Sequence, residues 1–200
     1  MKREEVLAEA LKTLRAGGTI LYPTDTVWGI GCDATSPEAV AKVYAIKRRS
    51  DSKSLVLLAA DLDMVARYVK AVPSMAVDLV EVNDSPMTLI YPGAVAGAPD
   101  APGDRWHLSY NVVAEDGSVG IRIPLMQFCK DLIFKLGRPI VSTSANLSGE
   151  PTPKRFSEIP QEIKDAVDFV IPPSLDTEST GKASQIIRIG LRGEVEIIRK

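Results

Sequence analysis

The sequence predicts a single α/β domain over residues 1–200, built on a twisted, mixed sheet flanked by helices. Three observations predict it. Short apolar runs of strand length interleave with segments of helical period along the whole chain. The buried run Thr19-Ile20-Leu21-Tyr22 leads into Pro23-Thr24-Asp25-Thr26, and the next helix ends in Lys47-Arg48-Arg49. One strand end thus delivers hydroxyls and a following helix delivers cations, the usual way an anion site is assembled at the strand ends of an α/β sheet. Finally, the chain closes in an apolar hairpin, residues 184–199 around the turn Gly190-Leu191-Arg192-Gly193.

Each element follows from local signals. Residues 3–16 have Val6, Ala10, Leu11 and Leu14 on one helical face, and Gly17-Gly18 ends that helix. Ser36-Pro37-Glu38 starts the second helix with an N-cap hydroxyl, a first-turn proline and an acid at the positive dipole end. The loop 50–54 leads into the strand 55–58, helices follow at 62–70 and 73–82, and 87–91 is another strand. Residues 92–110 are rich in Gly and Pro and have no period, so they read as a mobile surface loop, either a lid or a disordered connection. Residues 119–123 are a strand, 125–137 a helix, and 139–141 a strand ending in Ser142-Thr143-Ser144-Ala145-Asn146. A short helix near 158–166, a strand over 168–171 and a polar loop over 173–183 precede the hairpin.

Composition narrows the function classes. A chain of 200 residues buries a core without staples. The net charge of −2 means that any nucleic-acid contact comes from a local patch. The two cysteines, Cys32 and Cys129, lack the spacing of a zinc site and fit a reducing compartment. The first residues have no signal-peptide core, and no apolar run approaches the roughly 20 residues of a membrane span, so a cytoplasmic protein is expected.

Taken singly, the polar residues have ordinary readings. Thr24 and Asp25 serve as turn formers, Lys47 to Arg49 as a solvated helix end, and Ser144 and Asn146 as caps. Arg122, inside an apolar strand, is costly without a fixed anionic partner. His107, the only histidine, lies in the 92–110 loop and receives no catalytic role. Together these residues describe a cationic pocket with no nucleophile, no metal cluster and no Walker glycine loop. Such a pocket suits chemistry by positioning, with a nucleoside triphosphate bringing its own leaving group and Mg²⁺.

The segment Tyr22 to Gly31, the Lys47-x-Arg49 pair and Ser144-x-Asn146 within 142–149 together resemble the YrdC-like threonylcarbamoyl-AMP synthases, over roughly Leu11 to Arg199. The resemblance implies a YrdC-like fold around a concave cationic pocket. It also implies an enzyme that joins L-threonine, bicarbonate and ATP into threonylcarbamoyl-AMP and pyrophosphate, for tRNA threonylcarbamoyladenosine. It implies catalytic roles for Lys47, Arg49, Ser144 and Asn146. Arg49, Lys53, Ser118, Asn146 and Arg199 would contact ATP; Thr26, Arg122, Ser144 and Ser184 would contact threonine. Mg²⁺ would come with ATP, held by no protein motif. The product would pass to a tRNA threonylcarbamoyl transferase complex, with tRNA or double-stranded RNA as a further candidate contact and no membrane involved. Departures fall mainly on the threonine side: Leu58 and Met126 stand where many members have histidine, and Lys53-Ser54-Leu55 and Ser184-Gln185-Ile186 replace Lys-Pro-Leu and Ser-Thr-Val. Two other readings compete: a non-catalytic tRNA- or double-stranded-RNA-binding module, and a related enzyme that activates another amine or hydrolyses a carbamoyl phosphate ester.

Overall fold

The computed structural model describes residues 1–49, 55–98 and 106–200. Helix α1 (Arg3–Arg15) buries Val6, Leu7, Ala10, Leu11 and Leu14, the face its periodicity marks. Strands β1 (Ile20–Tyr22) and β2 (Gly29–Gly31) form a hairpin with its turn at Pro23–Trp28. Ser36 caps α2 (Pro37–Lys47), its hydroxyl accepting from Ala39 N at 3.2 Å. Strand β3 (Val56–Leu58), helix α3 (Leu62–Tyr68), helix α4 (Ser74–Val82) and strand β4 (Met87–Tyr91) follow. Asp61 caps α3 by accepting from Met64 N at 2.7 Å. Then come β5 (Val119–Arg122), α5 (Gln127–Leu136), β6 (Ile140–Ser144), α6 (Gln161–Ala166), β7 (Phe169–Val170), β8 (Gln185–Ile189) and β9 (Val195–Arg199).

The described residues form a nine-stranded sheet in the order β7-β1-β2-β6-β3-β5-β4-β8-β9. Pairs β1–β7, β3–β5 and β4–β8 are parallel and the others antiparallel, so the sheet is mixed as expected. Helix α1 lies against α5, β1 and β7, and one apolar core runs through these elements. The site depends on this strand order. It sets β6 between the early hairpin and β3, so residues distant in sequence share one side of the sheet.

Two segments differ from the sequence reading. Strand β2 was not expected, because Gly29 and Gly31 depress strand propensity. The glycines are there for Tyr22, whose ring crosses over β2 so that its hydroxyl donates to Val141 O on β6 at 3.0 Å. Strand β6 also continues through Ser142, Thr143 and Ser144, which the sequence placed just beyond its end. The flanks of the 92–110 segment are held by backbone bonds, Ala94 N to Gly117 O, Val95 N to Tyr68 O and Leu108 N to Val95 O. The rest of that loop, residues 99–105, lies outside the described residues, as does Lys53.

A Cβ at Gly31 would sit 2.6 Å from Tyr22 Cε1 and 2.8 Å from Val141 O, and the latter is backbone that cannot move aside. Gly31→Ala is therefore expected to cost about 2 kcal/mol or more of unfolding free energy. Gly29→Ala, whose nearest contact is a side-chain hydroxyl at 3.3 Å, costs less. Urea denaturation of the two variants checks the ranking.

Candidate active site

The site begins with the end of α2. Arg48 caps the helix in the left-handed region, at φ 50°, its N–H donating to Ala45 O, while Arg49 N donates to Tyr44 O. A non-glycine residue there is strained. The turn sends Arg48 outward to Glu162, at 2.8 Å, and Arg49 into a cleft. Lys47 points the other way, beneath the cleft. The residue is 3% exposed, and its ammonium donates to Ser144 O at 2.5 Å, Asn146 O at 2.7 Å and Asn146 Oδ1 at 3.1 Å. Ser144 Oγ donates to the same Asn146 Oδ1 at 2.5 Å, and Ser148 N donates to Lys47 O. Three motif residues thus form one knot that joins the end of α2 to the end of β6. Burial, and next the nearby Arg49 charge, lower the Lys47 pKa to about 8.

The cleft gathers side chains from across the sheet. Arg122 at the end of β5, Thr26 in the β1–β2 turn, Ser142 and Ser144 on β6, Ser184 before β8 and Arg199 on β9 line one cavity of about 290 Å³. An adjoining cavity of about 600 Å³ shares Arg49, Val56 and Ile186 with it and extends past Ser118, Asp116 and Arg188. Their combined size suits a nucleotide and a small second ligand. Three guanidinium groups, Arg49, Arg122 and Arg199, face the smaller cavity. Burial, and then the charge of Arg122, lower the pKa of Arg199, whose Nε donates to Ser184 O at 2.9 Å.

Arg122 has the anionic partner its cost demanded. It pairs with Asp25, and both side chains are 4% exposed. Asp25 Oδ2 also accepts from Leu125 N at 3.0 Å. Removing either partner of such a buried pair costs about 3–5 kcal/mol. The segment 176–181 straps this turn in place. Ser179 Oγ donates to Thr24 O, Thr180 N to Asp25 O and Gly181 N to Thr26 O, while Trp28 Nε1 donates to Asp176 at 2.7 Å. Thr24 Oγ1 spends its single proton on Val27 O, so at the 2.9 Å contact between the two hydroxyls Thr26 is the donor. The lone pairs of Thr26 Oγ1 are left to accept from a ligand.

Comparison with known proteins places this arrangement. The sequence model of the family described as "Telomere recombination", Sua5/YciO/YrdC, matches residues 12–200. The chain belongs to the Sua5/YciO/YrdC family. A threonylcarbamoyl-AMP synthase of Stenotrophomonas maltophilia is 35% identical over 198 residues, 96% of this chain and 98% of that protein. The fold is that of P. abyssi Sua5 complexed with L-threonine, with a TM-score of 0.77 at 24% identity. The match covers 94% of this chain and 52% of Sua5, so the chain spans about half of that protein. E. coli YciO, with a TM-score of 0.73 at 22% identity, is covered over 90% of its length.

Against the residue roles implied by the family resemblance, the structure gathers Thr26, Arg49, Arg122, Ser144, Ser184 and Arg199 around one cavity and puts Ser118 in the adjoining one. Lys47 is placed differently from a phosphate-facing residue, because its ammonium is consumed by three protein acceptors. Asn146 lies one bond behind Ser144, its amide donating to Glu150 O at 2.7 Å. Leu58 and Met126, at the two positions where many members carry histidine, are buried core residues, with Leu58 paired to Arg122 across β3 and β5. His107 is exposed. Sequence reasoning missed Thr152 in the cavity wall and Asp25 as the partner of Arg122, and it gave Ser142, a strand-end hydroxyl that also lines the wall, no role of its own. The two-residue repeat of a strand puts Ser142 on the face of Ser144, a signal that was available.

Lys47 carries a pH prediction. Free Lys47 loses its charge as pH rises through about 8, which removes one positive charge from beside the cleft. Its contribution to stability runs the opposite way. Between that value and the ordinary 10.5, the unfolded chain holds more protons, so folding gains from this group as pH rises. ATP affinity, measured by calorimetry on both sides of pH 8, is expected to weaken above it while Tm does not fall on this group's account. A pH-independent affinity would contradict this.

Proposed function

We propose that this chain is a threonylcarbamoyl-AMP synthase, a nucleotidyltransferase that condenses L-threonine, bicarbonate and ATP and releases pyrophosphate. The observation that carries the reading is the convergence of Arg49, Arg122 and Arg199 with the hydroxyls of Thr26, Ser144 and Ser184 on one cavity. The similarity to synthases along nearly the whole chain supports it.

The reaction balances without a covalent enzyme intermediate. The threonine amine and bicarbonate give a carbamate and water. A carbamate oxygen then forms a bond to the α-phosphorus of ATP as the bond to pyrophosphate breaks. Arg122 holds the amino-acid carboxylate, and Thr26 Oγ1 accepts from the substrate nitrogen. Arg49 and Arg199 offset the phosphate charge, and the family resemblance assigns Lys53 a further ATP contact. Ser144 sits between the two substrates, and Lys47 and Asn146 hold it there. The nucleoside extends past Ser118 into the larger cavity. Here the protein supplies placement and fixed positive charge rather than a nucleophile. Mg²⁺ enters with the triphosphate as part of the substrate. The product is a mixed anhydride of a carbamic and a phosphoric acid, reactive towards amines, and a tRNA threonylcarbamoyl transferase complex is the acceptor this reading implies. No helix among the described residues is long and apolar enough to cross a membrane, and the reading sets the reaction in the cytoplasm, with ATP and tRNA.

The test is ATP-dependent pyrophosphate release with L-threonine and bicarbonate, each omitted in turn. Release that needs both substrates, with threonylcarbamoyl-AMP among the products by mass, is expected. Arg49→Ala should lower turnover by roughly 10²–10³-fold with Tm little changed. Tight ATP binding without release would point to another acceptor. Salt-sensitive RNA binding without ATP binding would favour the RNA-binding module.

A further inference from the structure

The buried Asp25 has no part in the chemistry above, yet it fixes how Arg122 meets its ligand. Arg122 and Asp25 are each 3% exposed, Asp25 in the β1–β2 turn and Arg122 on β5, with β6 and β3 between β2 and β5 in the sheet. Asp25 holds Nη1 of the guanidinium with Oδ1. Its other oxygen, Oδ2, is committed to Leu125 N. Its backbone carbonyl accepts from Thr180 N, which fixes the turn that carries it. The carboxylate is therefore held by the protein on both oxygens and cannot rotate without losing a bond. Arg122 Nε is buried and has no hydrogen-bond partner among the described residues. That nitrogen belongs to the Nε–Nη2 edge, the side-on fork that matches a carboxylate with two parallel bonds. A buried, unpartnered donor is costly, and Arg122 carries it in a side chain that lines the smaller cavity.

The geometry points to Asp25 as the positioning residue of the substrate carboxylate site: by gripping Nη1 it fixes the guanidinium of Arg122 in the cavity wall. This rests on the reading that Arg122 receives the amino-acid carboxylate. Asp25 itself does not touch the substrate. It also offsets one of the three guanidinium charges, and the ligand carboxylate adds to a guanidinium already oriented rather than displacing Asp25. Selectivity for a carboxylate over a neutral carbonyl then depends on Asp25 as well as on Arg122. A neutral amide in its place leaves the guanidinium free to swing and accept carboxylates and carboxamides more alike.

The test measures L-threonine, L-threoninamide and ATP binding to the wild type, Asp25→Asn and Asp25→Glu by calorimetry, with thermal denaturation alongside. Asp25→Asn is isosteric and keeps an acceptor for Leu125 N. Asp25→Glu keeps the charge and the ion pair but pushes the guanidinium by one methylene, so it remains informative if the amide variant fails to fold. The expected result is at least about tenfold weaker threonine binding in each folded variant. The preference for threonine over threoninamide should narrow, and ATP affinity should stay within about twofold. A purely structural role would lower Tm but would not change the threonine to threoninamide ratio. Unchanged threonine affinity and an unchanged ratio in either folded variant would overturn the proposal while leaving the synthase reading intact. A wild type that binds ATP but no threonine would overturn both.

Discussion

The ammonium of Lys47 is the point on which the site is hung. It is buried, it has no carboxylate partner among the described residues, and it is satisfied by two carbonyls and an amide oxygen from the end of β6. A charge so placed is tolerable only while all three acceptors stay where they are, so it locks the end of α2 to Ser144 and Asn146. Arg49, two residues on and past a left-handed Arg48, thereby enters the cleft that Ser144 also lines. The lowered pKa of Lys47 reports the same strain from the electrostatic side, since burial and Arg49 both work against its charge.

A second tie of the same kind crosses the sheet. Asp25 and Arg122 connect the β1–β2 turn to the end of β5, and the 176–181 strap holds that turn down. The two ties divide the labour of the cleft. The Lys47 knot sets the region between the substrates, and the Asp25 pair sets the carboxylate end. What remains exposed to the cavity is largely donor: three guanidiniums and several hydroxyls, with Thr26 Oγ1 as an acceptor among them. An empty cavity with that lining is electrostatically unfavourable, and binding of anions relieves it.

Much of this was legible in the sequence, for physical reasons that can be named. Helix α2 was readable because Ser36, Pro37 and Glu38 each have one obvious use. Arg122 stood out because a charge within an apolar strand needs a partner. Its partner was not legible, because Asp25 follows Pro23 in a segment where an acid is an ordinary turn former. Strand β2 was hidden by its glycines, whose purpose appears only once the Tyr22 ring is seen crossing them. The motif pair Lys47 and Arg49 reads alike in sequence, yet two residues of separation across a left-handed turn send one beneath the site and the other into it. Sequence spacing cannot distinguish those directions without the cap geometry.

The central claim is that one cleft holds an amino-acid carboxylate at Arg122 and nucleotide phosphates at Arg49 and Arg199 at the same time. A crystal structure of the protein with L-threonine, bicarbonate and a non-hydrolysable ATP analogue tests it most directly. The account predicts the threonine carboxylate on the Nε edge of Arg122, the triphosphate between Arg49 and Arg199, and the threonine nitrogen turned toward the α-phosphorus. A carbamate, if trapped, should place its oxygen roughly 3–3.5 Å from that phosphorus. Threonine bound away from Arg122, or a nucleotide whose α-phosphate lies out of reach of it, would contradict the account.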